Sequence, residues 1–317
     1  MNVRFWGVRG SLPTPVDNKA LEEKLVQVVL RAREARLDDV DQVRRFVAGL
    51  PLALRGTYGG HTSCVQVTSG QDEVILDAGS GLYRLGQWWE GQEPAQRPQV
   101  HHIFLSHLHW DHTLGLPLFA PLGYAGHRVV VYGAHPGFEG HLQAQHAPPS
   151  FPVPLTALKG ECAFRTVAPG RPVRVGTLRV DCMELPHPGR SFAYRVSDGH
   201  ASLVYATDAE YGDLSPEAVG RYVDFFQGAD VLVVDAQYDL HESLGAKRDW
   251  GHSSALTGAR LALAANVRWL VLFHHDPSST DEAIARMEAQ VQAYLDAQGA
   301  SSRCRAVAAY EGLEIAL

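Results

Sequence analysis

The chain has 317 residues, 45% hydrophobic and 20% charged, with a formal net charge of −7. That composition supports a substantial core and excludes a disordered chain, and the acidic balance disfavours long nucleic acid, whose phosphates demand a basic face. Cys64, Cys162, Cys182 and Cys304 form no C-x-x-C pair, no window nears 18 apolar residues and no signal-peptide core opens the chain, so the expectation is a cytoplasmic protein without a zinc ribbon, redox motif or membrane contact.

In chain order, NVRFW (2–6) reads as a strand and GVRGSLPTP as the loop after it. From 18 to 48 the pattern turns helical. Leu21, Leu25, Val28, Val29 and Ala32 recur at helical spacing, and after Asp38–Asp39 a second short helix carries Val40, Val43, Phe46 and Val47. The stretch 18–50 is a helical insertion with two readings: a packing hairpin without chemistry, or a cover over a site. SCVQVTS (63–69) and EVILDAG (73–79) flank Gly70 as a hairpin. A helix follows over 80–89 with Ser80 as N-cap, then the strands VHHIFLS (100–106) and RVVVYG (128–133). Residues 134–160 contain APPSFPVP and read as a loop too proline-rich for a core element. Strands at 177–184, 191–196 and 201–206 precede a helix at 216–226 and the strand ADVLVVDA (229–236). A helix at 254–266, a strand at 268–275, a helix at 280–298 and a short strand complete the chain. Strands, helix, strands and then βαβα predict one α/β domain over 1–317. Two mixed sheets would pack together with helices outside, a four-layer α/β/β/α sandwich, although other α/β folds fit the pattern too.

The stretch FLSHLHWDHTLGLPLF (104–119) places His107, His109, Asp111 and His112 within six positions at the end of an apolar strand. Alternation puts His107 and His109 on one side, so both imidazoles face one ion, while Asp111 and His112 lie where the chain turns and face a second. Neutral imidazole and carboxylate suit Zn²⁺, Mn²⁺ or Fe. Other polar residues end apolar runs in the same way: His187 after VDCMEL, Asp208 after SLVYAT and His274 after RWLVLF. Strand ends are where α/β folds gather their reactive groups. Of the doublet His274–His275, His274 is the first residue past the buried run and the one expected to point into the site.

SHLHWDH resembles the H-x-H-x-D-H signature of the metallo-β-lactamase superfamily, and His187, Asp208 and His274 are similar to its remaining ligands in order and setting. The resemblance spans nearly the whole chain. It implies one metal held by His107, His109 and His187, a second held by Asp111, His112 and His274, and Asp208 bridging them. The implied cofactors are two divalent ions, zinc first, with manganese or iron as alternatives, and Asp111 counts among the catalytic residues. Two carboxylates leave two dications electropositive, which suits an anionic substrate. A flavodiiron protein would carry Glu where His109 stands. Glyoxalase II would carry a larger helical domain than the 43 residues after His274, which read as one helix and a short strand.

VVDAQYD (233–239) and WGHSSA (250–255) look like paired motifs of the ribonuclease Z and cyclic-phosphate phosphodiesterase branch. The matching residues, Asp235 and His252, would protonate a leaving alkoxide, which needs a donor. The structural alternative is that His252 caps the helix near Ser253 and Asp235 is a strand-end acid. Ribonuclease Z carries a basic RNA-gripping arm between the positions matching His187 and Asp208, which stand only 21 apart here. The expected partner is therefore a small or cyclic anionic phosphodiester rather than long nucleic acid, with a homo-oligomer left open. Alternatives are thioester or lactone hydrolysis on the same metals, an RNA-processing nuclease, and a metal-bearing binding or sensor protein. Arg9 and Arg190 are candidate phosphate contacts beside glycine-rich turns. Phe151 is a base-stacking candidate if its loop covers the metals, and His61 in GGHTSC is either a turn histidine or a neighbour of the site.

Overall fold

The computed structural model describes residues 1–213, 215–238, 247, 249–300 and 302–317; the last residue of the 233–239 motif lies outside them. The first sheet contains β1 (Asn2–Gly7), β2 (Cys64–Ser69), β3 (Asp72–Leu76), β4 (Val100–Phe104), β5 (Arg128–Gly133), β6 (Glu161–Thr166) and β14 (Glu314–Ala316). Its order is β14-β1-β2-β3-β4-β5-β6. The second contains β7 (Val173–Val175), β8 (Leu178–Leu185), β9 (Ser191–Ser197), β10 (Ser202–Ala206), β11 (Val231–Asp235), β12 (Trp269–Phe273) and β13 (Arg305–Ala308), and runs β13-β12-β11-β10-β9-β8-β7. The helices are α1 (Asn18–Ala32), α2 (Val40–Gly49), α3 (Leu52–Arg55), α4 (Gly81–Glu90), α5 (Phe138–Gln145), α6 (Pro216–Phe226), α7 (Ala255–Ala264) and α8 (Asp281–Ala297).

Strand alternation explains the layers. Val74 and Leu76 of β3 face the second sheet with Phe5, Val65 and Phe104, and meet Val231, Val233, Val271 and Phe273. Ile75 points the other way, joining Ile103, Val129 and Val131 beneath Leu82 and Leu85 of α4 and Phe138 and Leu142 of α5. Leu232, Val234, Leu270 and Leu272 point out of the second sheet onto Tyr222 and Phe226 of α6, Ala259 and Ala262 of α7, and Val291 and Leu295 of α8. The unbroken apolar runs VLVV and WLVLF are thus buried on both faces, as parallel strands under helices must be. This is the expected four-layer sandwich. Among the described residues no helix is long and apolar enough to cross a membrane.

The pairing positions the chemistry. β3, β4, β5 and β6 run parallel in the first sheet, and β10, β11, β12 and β13 in the second. Asp77, His107, Asp208, Asp235 and His274 all stand at or just past carboxyl ends of these strands, where open sheets form their crevices.

Several local expectations need correction. Residues 134–160 contain a core element after all: α5 buries Phe138 and Leu142 four residues apart, in a proline-free turn ahead of the proline run. β6 and β7 were not expected, because each is partly exposed and lacks clean alternation. The chain end holds two strands, β13 and β14, one on the edge of each sheet. Ser80 precedes α4, but its side chain does not cap the helix; its hydroxyl accepts the Thr62 N–H at 2.8 Å. The insertion docks through a charge: α1 buries Lys24, whose ammonium donates to Asp281 of α8 and to the Gly56 carbonyl, while Leu21, Leu25 and Val29 stay exposed.

Candidate metal centre

The centre is built from the turn after β4 inward. Asp77, directly after β3, is fully buried at φ +64°. It accepts from the Ser106 N–H at 2.7 Å and the Ser106 hydroxyl at 2.7 Å, from Tyr205 at 2.8 Å, and from His112 Nδ1 at 2.7 Å. Asp208 and His274 also have positive φ, +55° and +59°. Such conformations cost non-glycine residues on the order of 1–3 kcal/mol each and persist where surrounding contacts enforce them, typically at functional sites. Here they turn the Asp208 and His274 side chains toward one point and the Asp77 carboxylate onto the outer nitrogen of His112. Gly10 permits it: a β-carbon there would lie 2.4 Å from His274 Nδ1.

Hydrogen bonds assign the imidazoles. A carbonyl oxygen can only accept, so the 2.7 Å contact from His187 Nδ1 to the Gly251 carbonyl places the proton on Nδ1. His112 Nδ1 likewise donates to Asp77, and His274 Nδ1 to Gln237 Oε1 at 3.2 Å. The Ser106 hydroxyl, already donating to Asp77, accepts from His107 Nδ1 at 3.0 Å. Each ring thereby turns Nε2 inward. His112 Nε2 and His274 Nε2 face each other at 3.2 Å, and His187 Nε2 faces His109 Nδ1 at 3.3 Å. His107 Nε2 is buried without any hydrogen-bond partner. Opposed lone pairs this close require a proton or a cation beside them. The donor set therefore fits metal ions, with each ring oriented from behind as ligating histidines usually are.

Five three-residue clusters form within 4.8 Å: His107, His109 and His187; Asp111, His112 and His274; His107, His112 and Asp208; and two that include His252, one with His187 and Asp208 and one with Asp235 and His274. Asp208 is central, its oxygens 3.7 Å from His107, 3.4 Å from His112, 3.9 Å from His187 and 3.4 Å from His274. Asp111 Oδ2 lies 3.1 Å from His274 Nε2, 3.3 Å from His112 Nε2 and 2.7 Å from the Ser11 N–H. Burial, then repulsion among the imidazoles, lowers the pKa of His107; the same two causes lower His109. Burial lowers His187 as well. Burial opposes ionisation of Asp208, but His274, His112 and His107 outweigh it and hold the carboxyl well below its ordinary range. His112 goes the other way: burial opposes its charge, yet Asp208, Asp111 and Asp77 raise it strongly. Three carboxylates around one ring demand positive charge, which a proton supplies until a metal displaces it.

His252 stands beside this set. Its Nδ1 donates to the fully buried Asp235 at 2.6 Å, and its ring stacks on His274 with centroids 5.1 Å apart and planes 21° apart. Burial works against its charge, but Asp235 raises it to about 9. His252 lines a cavity of about 400 Å³ with Ser11, Leu108, His109, Trp110, Asp111, Asp208 and His274.

Residues 72–275 match a family model described as the β-lactamase superfamily domain. The chain belongs to that superfamily. The matched span contains every residue of the five clusters. The chain is similar to the probable metallo-hydrolase YhfI of Bacillus subtilis, 27% identical over 232 residues, 69% of this chain and 84% of that protein. It is similar to ribonuclease Z of a Picosynechococcus strain, 28% identical over 277 residues, 73% of this chain and 83% of that one. The crystal structure of YhfI superposes with a TM-score of 0.63 at 19% identity, covering 99% of this chain and 98% of that one.

Against the superfamily framework, the other sequence candidates sort as follows. His275 points away, donating from Nε2 to the Ala309 carbonyl at 2.9 Å, and burial pushes its pKa down to about 3. His61 is a turn residue with its ring on Ser80 Oγ at 3.2 Å. Arg9 is no phosphate contact: it is buried and spends its guanidinium on the carbonyls of Gly59, Asp276 and Ser279 at 2.8–3.0 Å. Phe151 leans on His146 and lines neither this cavity nor a second one of about 490 Å³ beside His109, and residues 18–50 contribute to neither. Sequence reading missed Asp77, Ser106, Gln237 and the Gly251 carbonyl. Asp77 carried a usable signal, since it ends the apolar run VIL as His274 ends WLVLF. Gln237 and a backbone carbonyl carry none.

Proposed function

We propose that this chain is a dinuclear metal-dependent hydrolase that cleaves a small or cyclic phosphodiester. The observation that carries the reading is the His252–Asp235 pair, 2.6 Å long, at the wall of the same cavity as Asp111, Asp208 and His274. A carboxylate-held imidazole is a proton donor, and a phosphodiester with an alkoxide leaving group is the substrate that needs one. The kinship with ribonuclease Z, whose name denotes cleavage of RNA, supports the bond type.

His107, His109 and His187 would hold one divalent ion, Asp111, His112 and His274 the other, and Asp208 would be shared; zinc suits the donors best, with manganese or iron accepted too. Such ions, when bound, supply an activated water and neutralise charge on phosphoryl oxygens. Asp77 holds the His112 ring, and Ser106 relays the same support to His107. The Ser11 N–H fixes Asp111 Oδ2, keeping that carboxylate aimed inward. Asp235 keeps the proton of His252 on Nδ1 and stabilises the imidazolium, leaving Nε2 to pass its proton to the departing oxygen. β9 and β10 fill the stretch between His187 and Asp208 with a plain hairpin, so no arm for a long RNA projects there.

The test compares wild type and His252→Ala, loaded with Zn²⁺ or Mn²⁺, on bis(p-nitrophenyl) phosphate, a 2′,3′-cyclic nucleotide and a thioester. The variant should lose on the order of 10²–10⁴-fold on the cyclic nucleotide, the usual contribution of a general acid, and far less on the activated diester. Thioester turnover without diester turnover, indifferent to the substitution, would refute the phosphodiesterase reading.

A further inference from the structure

Trp110 is 75% exposed, although it sits between His109 and Asp111, each held in a candidate metal cluster. Its backbone is fixed by the short turn Trp110–His112, and its carbonyl accepts from Thr113 at 3.1 Å and Leu114 at 2.8 Å. Among the described residues its indole has no ring partner and no hydrogen bond. Exposure alone would be unremarkable, since Trp250 is 61% exposed as well, but Trp110 also lines the cavities beside the candidate metal clusters, where an open aromatic face is available to a ligand.

The indole borders two cavities. One is the 400 Å³ cavity with Asp208, His252 and His274; the other, about 490 Å³, continues past His109 and is lined by His135, His141, Gln145, Gly189 and Arg190. A substrate whose reacting group sits against Asp208 and whose remainder enters the second cavity crosses the ridge of Leu108, His109 and Trp110 that the two cavities share. That second volume suits a nucleoside-sized group. Arg190 and His135 there already have partners. Arg190 grips Glu184 with two hydrogen bonds, 2.9 Å and 2.5 Å, and His135 Nε2 donates to the carbonyls of Gly189 and Arg190 at 3.1 Å and 3.0 Å. A second phosphate would gain little there. A neutral flat ring would gain the indole face, with the exposed His141 ring for its edge, while the Gln145 amide is held by Thr113, to which its Nε2 donates at 3.0 Å.

We infer that Trp110 and the cavity beyond it form a subsite for a neutral, planar heteroaromatic group of nucleobase size carried by the substrate. The inference takes its reacting group from the phosphodiesterase reading, but binding of the ring does not require turnover.

The experiment measures the affinities of the Zn²⁺-loaded chain for adenosine 5′-monophosphate and for ribose 5-phosphate by calorimetry, with indole fluorescence followed in parallel. Both ligands carry the same phosphate, and only one carries a base. Wild type should bind the nucleotide at least about tenfold more tightly, with fluorescence quenching, as expected when a base stacks on an aromatic side chain. Trp110→Leu should bring the two affinities within about twofold, and Trp110→Phe should keep part of the preference, because a phenyl ring still stacks. Equal wild-type affinities, or a Trp110→Leu protein with the wild-type ratio, would overturn the inference. Lack of diester turnover with the ratio intact would remove the phosphodiesterase reading and leave the subsite; turnover with equal affinities would do the reverse.

Discussion

Asp77 governs the centre without facing it. One carboxylate takes protons from Ser106, Tyr205 and His112, and so orients His112 directly and His107 through Ser106. Asp77→Asn keeps the shape and tolerates the positive φ, but replaces one acceptor by an amide donor against His112 Nδ1–H. Zinc affinity, measured by competition with a chromogenic chelator, should fall about 10–100-fold, the usual effect of losing such support, with the thermal midpoint of the metal-free chain as the control on folding. Unchanged affinity would mean that His112 does not need its partner. His146 makes a separate prediction. It is buried, its Nε2 has no partner, and burial lowers its pKa to about 4. Between that value and its ordinary 6.5 the unfolded chain binds the proton more readily, so stability drops as pH falls through this window. The slope from this group is at most about 1.4 kcal/mol per pH unit. The urea midpoint of wild type relative to His146→Leu should therefore decline between pH 6.5 and pH 4.5; a constant difference would show that His146 does not titrate there.

At the scale of elements, the insertion α1–α2 shows how a pattern misleads. Leu21, Leu25 and Val29 sit at core-like spacing, yet they are exposed at 51%, 57% and 65%, while Lys24 is inside. The docking force is electrostatic. Asp281 also accepts from the Tyr58 N–H at 2.9 Å and Thr57 at 3.1 Å, so the carboxylate that receives Lys24 is already held. Lys24→Ala removes one partner of a buried pair and should cost on the order of 3 kcal/mol, with amide exchange in α1 rising before that of the sheets. Exchange in α1 matching wild type would mean that the ion pair does not anchor the insertion. α5 illustrates the opposite case. Its two core residues are too few to register beside the proline-rich run, but Phe138 closes against Gly133, where a β-carbon would lie 2.7 Å from its ring.

The whole molecule brings two sheets to one crevice. Asp77, His107, His109, Asp111 and His112 come from the first sheet and its turns, and His187, Asp208, Asp235, His252 and His274 from the second. An ion held by residues of both sets would bind only the assembled sandwich, so its free energy would add to folding, by about 2.7 kcal/mol at a free concentration one hundred times Kd. Chelation should lower the calorimetric midpoint, and Zn²⁺ should restore it in a concentration-dependent way. A midpoint indifferent to both would show that the clusters hold no structural share of the metal.

Most strands, most outer helices and the seven candidate residues that converge at the centre were placed from the chain, because apolar runs and the polar residues that follow them are local features; β6, β7, β14 and α5 were not, their patterns being too short or too exposed. His274 was separable from His275 as the first residue past the buried run WLVLF, and its φ of +59° lies outside the strand conformation that ends at Phe273. Other features depended on residues distant in sequence. Asp77 acquires its role only when β3 and β4 lie side by side, Gln237 only when the chain after β11 reaches His274, and Arg9 loses its candidacy only when three carbonyls surround it. The inward Lys24 and the bare face of Trp110 are likewise decided by what does, or does not, pack against them. Hydrophobic periodicity is a property of neighbours along the chain, whereas ring orientation, proton placement and exposure are set by neighbours in space, and these only the tertiary structure supplies.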